Sequence, residues 1–125
     1  ARRQRRGRMS AMDFPPLSVT LARRAAEATA QGRSVARDVL ARLREAGVSA
    51  RLIGSAARGD MHAASDVDIL VLDRGDVPAL QVVEIAETAA EGRRRVDVVF
   101  AEYTRPEAVR WMLDESLDES DLHCG

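Results

Sequence analysis

The chain has 125 residues, enough for one domain and too few for two. Apolar residues make up 46% and aromatics only 3%, so the core must be built from Val, Leu, Ile and Ala. Nineteen basic residues, all Arg, nearly balance twenty acids, which argues against a generally basic nucleic-acid-binding surface.

Cys124 alone makes neither an internal disulfide nor a Cys-rich metal site. No apolar run approaches a membrane span, and no signal-peptide core follows the N-terminal arginines. The expectation is a cytoplasmic protein without a membrane partner.

Residues 1–16 read as a disordered N-terminal arm ending in Pro15-Pro16, with Met9 and Met12 as alternative natural starts. Five Arg precede Met9, but no aromatic residue is interleaved with them, so direct nucleic-acid binding is not expected. A domain over residues 17–113 follows, and then an acidic tail over 114–125, which reads as a solvated helix end and beyond.

Helical spacing starts near Ser18. Leu21, Ala22, Ala25, Ala26 and Ala28 form a weak stripe, and Val35, Ala36, Val39, Leu40 and Leu43 a stronger one. Gly32 is a soft spot between them, and Gly47 reads as the C-terminal stop. A short strand then ends at Gly54, followed by a turn or short helix from Ser55 to Asp60. A second strand is expected from Ser65 to Asp73, with Asp73 and Asp76 serving the turn beyond it. Pro78 opens a helix that stops at Gly92, "RRRVDVVFA" is a third strand, and Pro106 opens a last helix through Trp111 and Leu113. The order predicts an α/β fold, a small sheet flanked by helices. Trp111 reads as packing in a core or an interface, and His62 as an exposed loop residue.

The chemistry concentrates in "GSAARGDMHAASDVDILVL", residues 54–72. Residues two apart in a strand share a side, so Asp66 and Asp68 would present two carboxylates together. Like charges side by side are unfavourable unless a cation neutralises them. Asp97, flanked by Val96 and Val98, is a third acid in an apolar strand. If the second and third strands are neighbours, three carboxylates meet in a hard-cation site suited to Mg²⁺ and a phosphate substrate. Gly54 permits close backbone approach, and Ser55 opens a turn whose N–H groups suit phosphate.

Gly-Ser, ten residues, then Asp-Val-Asp resembles the signature of the nucleotidyltransferases of the DNA polymerase β superfamily. The compact chain is similar to the minimal nucleotidyltransferases, antitoxins that partner HEPN-type toxins. The resemblance runs over about residues 35–113 and includes Gly54, Ser55, Ala57, Arg58, Gly59, Ser65, Asp66 and Asp68. Ala56 departs from it, since many relatives carry a basic or larger polar residue there.

The resemblance implies a nucleotidyltransferase fold with a small mixed sheet. It implies Mg²⁺ held by Asp66, Asp68 and Asp97, with Asp97 helping to activate the acceptor hydroxyl. It implies ATP as nucleotide donor, its β- and γ-phosphates at Gly54 and Ser55, and Arg58 touching phosphate or anchoring the turn. The implied function is transfer of AMP to a tyrosine of a HEPN-type RNase toxin, which makes the protein an antitoxin working in a homodimer or hetero-oligomer. Two alternatives stand beside it: neutralisation of a partner by contact alone, and transfer to RNA or a small molecule.

Overall fold

The structure is a computed structural model and describes residues 17–122. The elements run in the order α1 (Leu17–Glu45), β1 (Ser49–Ile53), α2 (Gly54–Arg58), β2 (Val67–Asp73), α3 (Ala79–Ala90), β3 (Val96–Phe100) and α4 (Pro106–Asp114). Single 3₁₀ turns follow β3 at Ala101–Tyr103 and close the described chain at Glu119–Leu122. The expected arm over residues 1–16, and His123 with Cys124, lie outside the described residues.

The sheet has three strands in the order β1-β2-β3 and is mixed. β1 pairs antiparallel with β2, and β2 parallel with β3. A parallel neighbour needs a crossover, which α3 supplies. Strand alternation sorts the side chains. Leu52, Val67, Ile69 and Val71 are buried toward α1 and α3, with Val96, Val98 and Phe100 packed against them. Asp68 and Asp97 project from the other face, where Ile53 and Leu70 are also buried. α4 packs against β1.

The apolar stripe of α1 fixes that helix on the sheet: Val35, Ala36, Val39 and Leu43 are completely buried. Burial of a side chain the size of Val or Leu contributes about 1.5–3 kcal/mol. The weaker stripe in the first half of the helix stays largely exposed, Leu21 included, and only its last member, Ala28, is buried. α1 is not split at Gly32. A Cβ there would lie 2.3 Å from Met61 Sδ, so the missing side chain is the space that the buried Met61 fills. Gly47 does end the helix, at φ +88°, with the Val48 N–H on Leu43 O at 2.9 Å. Asp73 serves its turn by accepting the Gly75 N–H at 2.9 Å.

The acidic stretch after α4 is not a solvated tail. Leu117 exchanges both backbone hydrogen bonds with Leu52, at 2.8 and 2.9 Å, on the outer edge of β1. Arg44 holds Glu119 at 2.7 Å and Arg51 faces Asp118 at 3.7 Å. Ser116 and Leu122 are buried. Charge density hid the signal, which was the pair of leucines spaced among the acids.

Leu122→Ala tests that docking. Loss of a buried Leu should cost about 2–4 kcal/mol in urea unfolding. A truly solvated end would show a change within about 0.5 kcal/mol.

Candidate active site

β1 runs into the site and stops at Ile53, directly opposite Asp68. Gly54 follows at φ +75°, and a Cβ placed there would lie 2.3 Å from Asp68 Oδ2. Only glycine meets both demands, the left-handed backbone and the missing side chain. The chain then turns at once into α2, whose first turn has no side-chain cap because Ile53 is at the N-cap. The first N–H groups of α2 therefore have no intrahelical or capping partner. Ser55 O accepts the N–H of Gly59 at 2.8 Å and of Asp60 at 3.0 Å, which closes the turn.

Asp97 is the direct parallel partner of Asp68, so the two acids stand side by side on adjacent strands. Asp66 lies just before β2 rather than inside it, because the strand starts at Val67. Asp68 still feels both of the others. Half-burial, followed by the charges of Asp97 and Asp66, pushes the Asp68 carboxyl up to about 6, while Arg58 opposes the shift. Asp97 is exposed on an edge strand, and Asp66 is half-buried.

The expected trio thus shares one end of the sheet without forming a closed cage. Among the described residues no three His, Cys, Asp or Glu side chains converge tightly enough to hold a metal ion as they stand. The donor set is all oxygen, two of its members are fixed by strand register, and its central carboxylate is destabilised as an anion. These properties fit a hard divalent cation such as Mg²⁺.

Arg58, expected at phosphate or as an anchor, is bonded to Asp60 at 3.3 Å and Glu115 at 3.1 Å. It anchors α2 to the end of α4. Ala56 is fully buried in the core, so this position faces inward and its small size suits packing. His62 is exposed, and its Nδ1 accepts the Ala64 N–H at 3.2 Å. Trp111 is 64% exposed, which rules out the core alternative of the two expected for it.

Two further arginines surround the site unannounced by any motif. Arg33 donates to Ala56 O at 2.8 Å and Ala57 O at 3.0 Å, gripping α2 from α1. Arg94 donates to the carbonyls of His62, Ala63 and Ser65 in the loop that leads to Asp66. Sequence separations of about thirty residues hide such contacts. No local cue singles them out: Arg33 follows Gly32, and Arg94 is the middle one of three successive arginines two residues before β3.

A cavity of about 680 Å³ lies elsewhere, between the end of α1, the start of β1 and Asp118–Ser120. It contains none of the three carboxylates, and its Arg44 is already paired with Glu119. Chemistry therefore assigns the site to the carboxylate end of the sheet rather than to the roomier hollow.

The raised Asp68 carboxyl has a definite sign. The folded state holds this proton more tightly than the unfolded chain does, so metal-free stability should fall as pH rises from about 4 through about 6. Asp68→Asn should remove that fall and stabilise the metal-free protein at pH 7.5. Mn²⁺ affinity, followed by titration, should climb with pH up to about 6 and level off above it. Gly54→Ala should weaken Mn²⁺ binding and lower the melting temperature together, since its Cβ displaces the Asp68 carboxylate.

The family profile described as "Nucleotidyltransferase domain" matches residues 33–118, which includes Asp66, Asp68 and Asp97. A solved structure given the name of a minimal nucleotidyltransferase is 30% identical, with a TM-score of 0.56 over 67% of this chain and 89% of that one. No curated protein matches. With the fold, the paired aspartates and the Gly-Ser turn in place, the chain belongs to the nucleotidyltransferase domain family and has the architecture of its minimal members.

Proposed function

We propose that this minimal nucleotidyltransferase transfers AMP from ATP to a tyrosine hydroxyl of a HEPN-type RNase toxin and serves as its antitoxin. The observation that carries the transfer chemistry is the register pair Asp68–Asp97 beside a glycine that cannot be anything else. The acceptor and the antitoxin role rest on the resemblance of residues 54–72 to the minimal nucleotidyltransferases.

The ATP phosphates would lie at the start of α2, with Gly54 and Ser55 contributing backbone N–H groups. Asp66, Asp68 and Asp97 would hold Mg²⁺. When bound, the ion supplies charge neutralisation on the phosphates and Lewis acidity at the reacting oxygen. Asp97 is exposed on the edge strand, so a hydroxyl on another molecule can reach it. Its carboxylate takes the hydroxyl proton as the oxygen attacks the α-phosphorus in line. The bond from oxygen to the α-phosphorus forms, the bond to the bridging β-oxygen breaks, and pyrophosphate leaves. Little covalent work falls to the protein, and orientation and charge account for the rate.

Purified protein, the HEPN-type protein, Mg²⁺ and ATP labelled at the α-phosphate make the test. Label should appear on the partner's tyrosine. Asp66→Asn and Asp68→Asn should reduce it to background while the complex still forms. Unlabelled partner in a stable complex would replace transfer with neutralisation by contact. Label on RNA instead would move the acceptor to nucleic acid.

A further inference from the structure

The Gly-Ser turn and Asp66 stand on separate segments of the chain, yet one stretch of α1 ties down both. Arg33 reaches across with Nε on Ala56 O at 2.8 Å and Nη2 on Ala57 O at 3.0 Å. Thr29 Oγ1 accepts the Met61 N–H at 3.3 Å. Gln31 Oε1 accepts Arg94 Nε at 3.0 Å. Arg94 Nη1 in turn donates to Ser65 O at 2.7 Å, Ala63 O at 3.1 Å and His62 O at 3.2 Å. A single stretch of α1, residues 29–33, is thereby the common reference for α2 on one side and for the approach to Asp66 on the other.

Both guanidinium groups grip main-chain carbonyls, and Arg94 is itself held by the Gln31 side chain. That fixes the path of the backbone, and with it where the Gly54 and Ser55 N–H groups and the Asp66 carboxylate stand. Arg33 meets two carbonyls from Nε and Nη2, and Arg94 bridges Gln31 from Nε to the loop carbonyls from Nη1, a fixed spread of donors that the compact ammonium of a Lys does not reproduce. Neither fork is spent on a carboxylate: Arg33 and Arg94 form no ion pair among the described residues. Their charge is thus directed at the carbonyl dipoles of two site loops. The loop carrying Ala63 and Ala64 is exposed, and its other hydrogen bonds are local to the loop: the His62 N–H on Ser65 Oγ, the Ala64 N–H on His62 Nδ1 and the Ser65 N–H on His62 O.

We infer that Arg33 and Arg94 are positioning residues: Arg33 sets the phosphate turn at Gly54–Ser55, and Arg94 sets Asp66 for the cation. This rests on the nucleotidyltransferase reading above and deepens it by dividing the two tasks between two arginines.

The experiment uses the full chain and reads binding rather than turnover. Mn²⁺ alone is titrated by electron paramagnetic resonance, and a non-hydrolysable ATP analogue with Mn²⁺ by calorimetry, with melting temperatures alongside. Arg33→Lys should weaken the analogue about tenfold and leave Mn²⁺ alone within about twofold of wild type. Arg94→Lys should weaken Mn²⁺ alone about tenfold. Gln31→Ala, an exposed substitution that leaves both arginines in place, should weaken Mn²⁺ by about threefold with little change in melting temperature. It keeps the inference testable if Arg94→Lys does not fold.

Variants that melt lower but bind both ligands like wild type would overturn the inference, since the arginines would then be stabilising staples only. Lys variants that bind normally where Ala variants fail would also overturn it, because charge rather than the fork would be at work. A wild-type protein that binds neither Mn²⁺ nor the analogue would remove the nucleotidyltransferase site itself, and this division of labour with it.

Discussion

The contact between Gly54 and Asp68 is the constraint around which the rest of the structure is arranged. The Asp68 carboxylate occupies the volume that any side chain at position 54 would need. That contact exists only because β1 runs antiparallel to β2 with Ile53 opposite Asp68. Asp97 joins it only because β3 runs parallel on the other side of β2 with Asp97 in matching register. A slip of one residue in either ladder would turn these acids into the face covered by α1 and α3. The apolar residues at 67, 69 and 71 guard against that slip, because they would then face away from the core. Packing on one face of the sheet thus holds the chemistry on the other.

The arrangement is unfavourable in itself. Three like charges share one end of a three-stranded sheet, and the central one is half-buried and holds its proton up to about pH 6. Proteins tolerate such strain where a ligand relieves it, and a divalent cation with a triphosphate is the complementary charge pattern. The edge position of β3 leaves Asp97 open to a large acceptor, whereas Asp68 is sheltered between β1 and β3. One carboxylate is thereby placed to face an incoming hydroxyl and another to sit deeper among the donors.

Much of this was legible in the residues. Alternating Val, Ile and Leu marked the three strands, Gly47 ended the first helix, and the spacing from Gly54 to Asp68 carried the site. Asp97 declared itself as an acid among valines. What stayed hidden was long-range. Gly32 read as a weak point in a helix, because nothing near it in sequence shows that Met61 will fill its space. The acids after α4 read as solvated, because the arginines that neutralise them, Arg44 and Arg51, lie more than sixty residues away. Among nineteen arginines no local pattern distinguishes Arg33 and Arg94, whose partners are backbone carbonyls contributed by another part of the chain. Periodicity and motif spacing report on faces and on short distances, and the supports of a site are assembled across the fold.

The most direct measurement is a crystal structure of the protein grown with Mn²⁺ and an α,β-methylene analogue of ATP, with the metal located by its anomalous signal. The account predicts metal density among Asp66, Asp68 and Asp97, drawn together from their splayed positions, and a triphosphate against the Gly54–Ser55 turn. Metal density absent from these carboxylates, with the nucleotide in the hollow beside Arg37 and Arg44, would contradict it.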